Sequence, residues 1–344
     1  MSDPSLVLQA ALQPAFAHGS PLAAGVIRQQ PEDFIVDEIS SVEFTGEGEH
    51  VCLYIRKRGL NTEDIARQLS KLSGVKHRDV SFAGMKDRHA VTTQWFSIYM
   101  PGMEEPDWQS LNSEDVQVLE VIRNARKLRR GTLTGNRFQL TVREFDVDPL
   151  LLDARMQSIL EQGVPNYFGS QRFGRAGSNL DSALQMFEGR RVKREQRSHY
   201  LSAARSMLFN KVLSDRVSEA SWNQLLDGEV CMLAGSRGFF ASDEVDGQLE
   251  QRLLEKDIHP SGPLWGKGDL PSKNKAGELE NASLADLSEW RDGLEKAGLK
   301  MERRSLRLIV GDLQWEYADK TLVLKFSLPA GCFATAVLRE IVEV

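Results

Sequence analysis

The sequence predicts an α+β protein in which a strand-rich portion is interrupted by a helix-rich one. Three observations carry that expectation. Short apolar runs bounded by Gly, Pro and polar turn residues recur from Phe34 to Val142. From about residue 160 the apolar residues fall at helical spacing. From Leu306 to Ser327 the strand pattern returns. This order suggests one domain inserted into another, although the pattern by itself does not decide it.

Residues 1–24 have weak periodicity and read as an extended arm. Phe34 to Val36 and Val51 to Ile55 are strands, separated by a turn at Thr45 to Glu49. Asn61 and Thr62 then open a helix over Glu63 to Leu72. Its first turn is acidic, Ile65, Leu69 and Leu72 share a face, and Gly74 closes it. Val80 to Ala83 and Val91 to Tyr99 form a strand pair around a polar loop. Val116 to Ile122 and Phe138 to Val142 are strands on either side of a basic segment. Leu150 to Leu160 is a helix ended by Gly163 and Pro165. Helices follow over Asn179 to Glu188, Ser198 to Glu219, Leu249 to Lys256 and Ser283 to Ala297. Gly262 to Lys275, rich in Gly and Pro, reads as a loop. Strands over 306–310, 313–317 and 321–327 lead into a closing helix, Phe333 to Val342.

A chain of 344 residues suggests about two domains. With 41% hydrophobic and 27% charged residues the composition is that of an ordinary soluble globular protein, large enough to fold without a metal or disulfide staple. Cys52, Cys231 and Cys332 are odd in number and far apart, which points to a reducing compartment, the cytoplasm. Met-Ser-Asp-Pro at the N-terminus does not read as a secretory signal. No apolar run approaches the ~18 residues of a membrane span. The histidines show no metal-ligand spacing. Trp265 to Asp269 has a Gly-Lys pair without the rest of a phosphate loop.

A formal net charge of −6 argues against nucleic acid as a partner if it is averaged over the chain. The basic residues are nonetheless clustered. Arg123, Arg126, Lys127, Arg129 and Arg130 fall in one segment; Arg190, Arg191, Lys193, Arg194 and Arg197 fall in another. Smaller groups are Arg56 to Arg58 and Lys76 to Arg78. One such cluster could be a solvated helix face. Four in an acidic protein favour a localised RNA-facing surface.

The most informative stretch is the polar loop, Gly84 to Gln94, whose one carboxylate, Asp87, lies between Lys86 and Arg88. Neighbouring cations favour an ionised carboxylate. Read locally, the loop is a solvated turn. Its pattern, Gly84, Lys86, Asp87, Ala90, Thr92 and Gln94, resembles the signature of the TruD family, the pseudouridine synthases that act on uridine 13 of tRNA. Further blocks match in order: Pro31 to Glu38, Lys127 to Arg129 with Gly135 to Phe138, Asn166 to Gly174, and Leu328 to Thr335.

The resemblance implies a pseudouridine synthase catalytic domain with a mixed, largely antiparallel sheet, formed by residues 1–159 and 308–344. An α/β domain specific to the family is inserted at 160–307. It implies that Asp87 is the catalytic aspartate, Arg28 its cationic partner and Phe138 the aromatic at the target base. Phe34, Glu38, Asn136 and Phe333 match further positions near the substrate, with Lys86, Lys127, Arg129 and Arg130 as basic contacts. Taken singly, Phe138 and Phe34 read as core residues, Arg28 as a surface charge and Asn136 as a turn residue. The implied partner is the D-arm of tRNA, with no cofactor, no metal and no membrane, and a monomer as the favoured state. The rival expectation is a tRNA-folding chaperone on the same fold.

Overall fold

The computed structural model describes residues 12–129 and 132–343. Arg130, one of the basic contacts expected above, lies outside the described residues. The contacts divide the chain into two units. Over the described residues, one comprises 22–129, 132–153, 310–331 and 342–343. The other comprises 12–21, 154–309 and 332–341.

The first unit is built on a nine-stranded sheet. Its eight longer strands are β1 Phe34–Ser40, β2 His50–Arg58, β3 Val80–Phe82, β4 Val91–Tyr99, β5 Val116–Asn124, β6 Leu133–Arg143, β7 Gly311–Ala318 and β8 Thr321–Pro329. They lie in the order β7-β8-β6-β1-β4-β2-β5, with β3 also on β4 and Val26–Ile27 on β6. Only β1 and β4 run parallel; the other pairs are antiparallel. The sheet is therefore mixed and largely antiparallel, as the family resemblance implies.

Side-chain alternation sets which face of each strand is buried. Phe138, Leu140 and Val142 of β6 and Leu322, Leu324, Phe326 and Leu328 of β8 point inward at every second position. Helix α1, Thr62–Ser73, covers the neighbouring strands. Its N-terminus is closed by Asn61, whose backbone N–H donates to Asp64 Oδ2 at 3.1 Å. Gly74 ends it in the left-handed conformation, at φ 71°. Ile65, Ala66 and Leu69 pack on Val51, Leu53, Ile55, Phe96 and Ile98. On the opposite face Trp95 stacks on Tyr54, centroids 4.9 Å apart. Strand β4 is thus buried on both sides, and its polar residues Thr92, Thr93, Gln94 and Ser97 are interior.

The second unit is more strand-rich than the sequence pattern suggests. Val230–Leu233, Phe239–Ala241, Ile258–Leu264 and Glu302–Ser305 form a four-stranded antiparallel sheet. The long helix Arg194–Ser218 packs on it. The expected loop over Gly262 to Lys275 starts later than expected, because Gly262 to Leu264 end a buried strand. Its two prolines and its glycine disguise it. Gly262 is required because a Cβ there would lie 2.8 Å from Leu306 and 3.3 Å from Phe209 of the helix. The expected closing helix is also shorter: Ala334–Leu338, followed by Val342–Glu343 paired in parallel with Ala23–Ala24.

Two fully buried ion pairs hold this unit, Arg216 with Glu229 at 3.0 Å and Arg303 with Glu280 at 2.6 Å. Arg303 also donates to the hydroxyl and carbonyl oxygens of Ser261 on the central strand. Removing one partner strands a charge in a dry interior. Glu280→Ala is expected to lower unfolding free energy by about 3–5 kcal/mol, read from the urea midpoint at constant slope. A shift below ~1 kcal/mol would show that the pair is solvated.

Candidate active site

The polar loop leaves β3 at Ala83 and re-enters the sheet at Val91, which lies beside Ile35 of β1. Asp87 is therefore held near the start of β1. The residues of the sequence signature fix the loop from below. The Lys86 backbone N–H donates to Thr62 Oγ1 at 3.0 Å, and that hydroxyl donates to Gln94 Oε1 at 2.8 Å. The Gln94 amide donates to the Gly84 carbonyl at 3.0 Å. Thr62 and Gln94 are fully buried, so these bonds face little competition from water.

A third anchor is Lys57, which the sequence reading placed in a basic RNA-facing group. It is fully buried. Its ammonium donates to the Leu60 carbonyl at 2.6 Å and to the Asp87 carbonyl at 3.1 Å. Burial pulls its pKa down to about 8, against the opposing pull of Asp87. The strand pattern held the signal: Lys57 is in phase with Val51, Leu53 and Ile55, the inward set of β2. Its neighbour Arg58 is engaged by Glu32 and Asp115, and Arg56 is exposed. The Arg56 to Arg58 group is therefore not a free cationic surface.

Arg28 Nη2 donates to Asp87 Oδ2 at 2.9 Å. The pair is partly open, with side chains 30% and 53% exposed, so it adds little to stability and serves mainly to aim the carboxylate. Arg28 has a left-handed backbone at φ 56°, a costly conformation for a long side chain and one that concentrates at functional sites. Its guanidinium lies 4.0 Å from the centroid of Phe34. Nothing in the sequence signals that strain.

Phe34, Val36 and Glu38 of β1 stand opposite Leu140, Phe138 and Asn136 of β6, all on one sheet face. Phe138 is 6% exposed, meets Phe34 edge-on at 6.3 Å and stacks on Phe326 at 5.3 Å. It sits where its sequence alone would put it, in the core, with one ring face already occupied. Asn136 lies in the strand, not in a turn, and Gly135 before it lets the Leu328 carbonyl approach where a Cβ would sit at 2.5 Å.

Lys86 turns away from Asp87. Its ammonium donates to Asn136 Oδ1 at 2.6 Å and lies 3.8 Å from Glu38 Oε2, with side chains only 6% and 2% exposed for Lys86 and Glu38. Burial raises the Glu38 pKa and lowers that of Lys86, and each charge opposes the shift of the other. Both expected substrate contacts thus lie beneath the surface.

The remaining expected residues fall elsewhere. Lys127 and Arg129 are exposed on either side of the buried Leu128. With His77 and Arg78 they line a cleft of about 610 Å³. Phe333 belongs to the other unit. It contacts Phe168 at 6.1 Å and lines a cleft of about 220 Å³ with Gln171, Arg172, Asn179 and His199. Among the described residues no group of His, Cys, Asp and Glu is arranged to hold a metal ion.

A carboxylate paired with a guanidinium beside the ends of two central strands of a mixed sheet is an arrangement suited to nucleophilic or acid–base chemistry. Comparison with known proteins narrows that class. The family model described as tRNA pseudouridine synthase D (TruD) matches residues 13–182 and 176–341. A protein of that name from Nitrosococcus oceani is 51% identical over 334 residues, covering 96% of this chain and 93% of its own. One from Methylococcus capsulatus is 50% identical over 330 residues, covering 95% and 93%. A crystal structure from Methanosarcina mazei, described as a candidate tRNA pseudouridine synthase D, has a TM-score of 0.77. It spans 100% of this chain and 99% of its own at 24% identity, a likeness of fold. The chain belongs to the TruD family.

If Lys57 pins the loop, Lys57→Met should make trypsin cut several-fold faster after Arg88, the exposed residue beside Asp87. The charge on Lys57 is present below its folded pKa of about 8 and is lost above it. The wild-type loop should therefore loosen as pH rises through that value, whereas the variant follows only the pH dependence of the protease. Identical digestion of the two proteins across that range would rule out the anchor.

Proposed function

We propose that the protein isomerises uridine 13 in the D-arm of tRNA to pseudouridine, with Asp87 as the catalytic carboxylate. The observation that carries the proposal is the Arg28–Asp87 pair at 2.9 Å on a loop tied down from three sides. The names borne by its relatives support the same reaction class.

The isomerisation breaks the C1′–N1 bond, turns the base and joins C5 to C1′. C5 loses a proton and N1 gains one, so no redox partner or energy source is consumed. Asp87 could attack a carbon or take a sugar proton, and both routes need it ionised. The carboxylate is half exposed in the free protein, as it must be to meet a base drawn out of the RNA stack. Phe34 and Asn136 would lie near that base, and Phe138 would shape its pocket from within the core.

In this reading residues 1–159 and 308–344 are the catalytic domain, and 160–307 are the inserted domain. The protein works in the cytoplasm as a monomer. The cleft lined by His77, Arg78, Lys127 and Arg129 takes RNA phosphates.

The decisive assay uses unmodified tRNA transcript, with pseudouridine mapped by reverse-transcription stops after carbodiimide treatment. Wild type should give a stop reporting position 13; Asp87→Ala should give none while still binding tRNA. Turnover by the variant, or modification at another position alone, would overturn the proposal. Replacing Lys127 and Arg129 together with Ala should weaken tRNA binding and reduce the slope of log affinity against log salt by about 1.5. An unchanged slope would remove the cleft from the RNA path.

A further inference from the structure

A second buried charge pair lies beside the Asp87 loop. Lys86 and Glu38 lie beneath the sheet surface, and the Lys86 ammonium reaches Asn136. An ammonium has only donors. The 2.6 Å contact from Lys86 Nζ therefore fixes which end of the Asn136 amide is the oxygen. The amide nitrogen, Nδ2, is then the donor end, and among the described residues nothing accepts from it.

Two features show that this orientation is imposed. Asn136 is opposite Glu38 in the β1–β6 register and opposite Leu328 in the β6–β8 register, so its backbone is fixed from both sides. Glu38 in turn holds the ammonium: its Oε2 is buried, lies 3.8 Å from Lys86 Nζ and has no hydrogen-bond partner among the described residues. A carboxylate placed so has one evident use, to keep a cation at that spot at the cost of its own solvation. Phe138 lies two residues along the same strand on the same face. The fixed amide thus stands beside the aromatic expected to shape the base pocket.

We propose that Lys86 and Glu38 are positioning residues that lock Asn136 as a hydrogen-bond donor, so that the site reads a carbonyl oxygen of the target pyrimidine at its 4-position. Uracil offers a carbonyl there. Cytosine offers an amino group, which would set donor against donor and leave the amide unpaired. Sites that hydrogen-bond a substrate group discriminate strongly, because the wrong partner strands a polar atom. Free rotation of the Asn136 amide would abolish that discrimination, since it could then turn its oxygen to cytosine. The proposal rests on the pseudouridine synthase reading for the identity of the base.

The test compares tRNA transcripts carrying U or C at the target position, using binding as well as turnover. Lys86→Met alone would leave Glu38 buried without a cation, so the working variant is Lys86→Met with Glu38→Gln, which removes both charges together. We expect wild type to bind the U transcript about tenfold or more tighter than the C transcript. Asn136→Ala and the charge-pair variant should each bring that ratio close to one. Combining them should lose no more than Asn136→Ala alone, in the binding ratio and in kcat/KM, because the pair acts only through the amide. A charge-pair variant that keeps the wild-type ratio would overturn the proposal, and so would losses that multiply in the combined variant. A merely structural role for the pair would give such multiplying losses. Wild type that shows the U preference but makes no pseudouridine would sink the reaction and leave the recognition device standing.

Discussion

The site depends on a loop that is charged above and charged below. Asp87 presents its carboxylate upward to Arg28, while its carbonyl accepts from the buried Lys57. An ammonium in that interior is expensive; a pKa drawn down from 10.5 to about 8 corresponds to a few kcal/mol at neutral pH. An apolar residue would pack the spot at lower cost, but it could not bond two carbonyls from separate turns. The Leu60 turn and the Asp87 loop converge on this one cation, and the Thr62–Gln94 bonds tie the same two segments a second time. Rigidity of this kind allows a half-exposed carboxylate to hold its aim without a buried partner.

The arrangement also sorts the cations by task. Three basic side chains surround Asp87, and their burial separates them. Arg28, 30% exposed, meets the carboxylate itself. Lys57 meets its backbone from within the core, and Lys86 faces Glu38 and Asn136. Lys86 is next to Asp87 in sequence, yet its side chain points elsewhere. In an extended loop neighbouring side chains diverge, and here they serve opposite sides of the same surface.

Much of this was legible in the sequence, and the gaps have physical causes. The order of strands around β1 to β6, the helix Thr62–Ser73 with both its stops, and the loop bearing Asp87 all follow from period-two and period-3.6 patterns and from capping residues. The Arg28–Asp87 contact spans 59 residues, so only the family resemblance pointed to it. Lys57 was hidden by residue type, since a lysine between two arginines reads as surface although its phase places it inward. The strand Ile258–Leu264 was hidden by composition, because its prolines read as a turn and Gly262 meets the demand of close packing against Phe209 rather than that of a turn. The left-handed Arg28 backbone left no trace at all, because tertiary contacts impose it.

The free state described here has the polarity of a site awaiting its substrate. Asp87 is open to water, which screens Arg28 and limits what the pair contributes to the fold. In the proposed reaction a base entering beside Asp87 would exclude that water, and the same 2.9 Å contact would then act in a medium of lower dielectric. The position of Asp87 is therefore set in the free protein by Arg28 at its carboxylate and Lys57 at its carbonyl, with the left-handed backbone at residue 28 aiming the guanidinium.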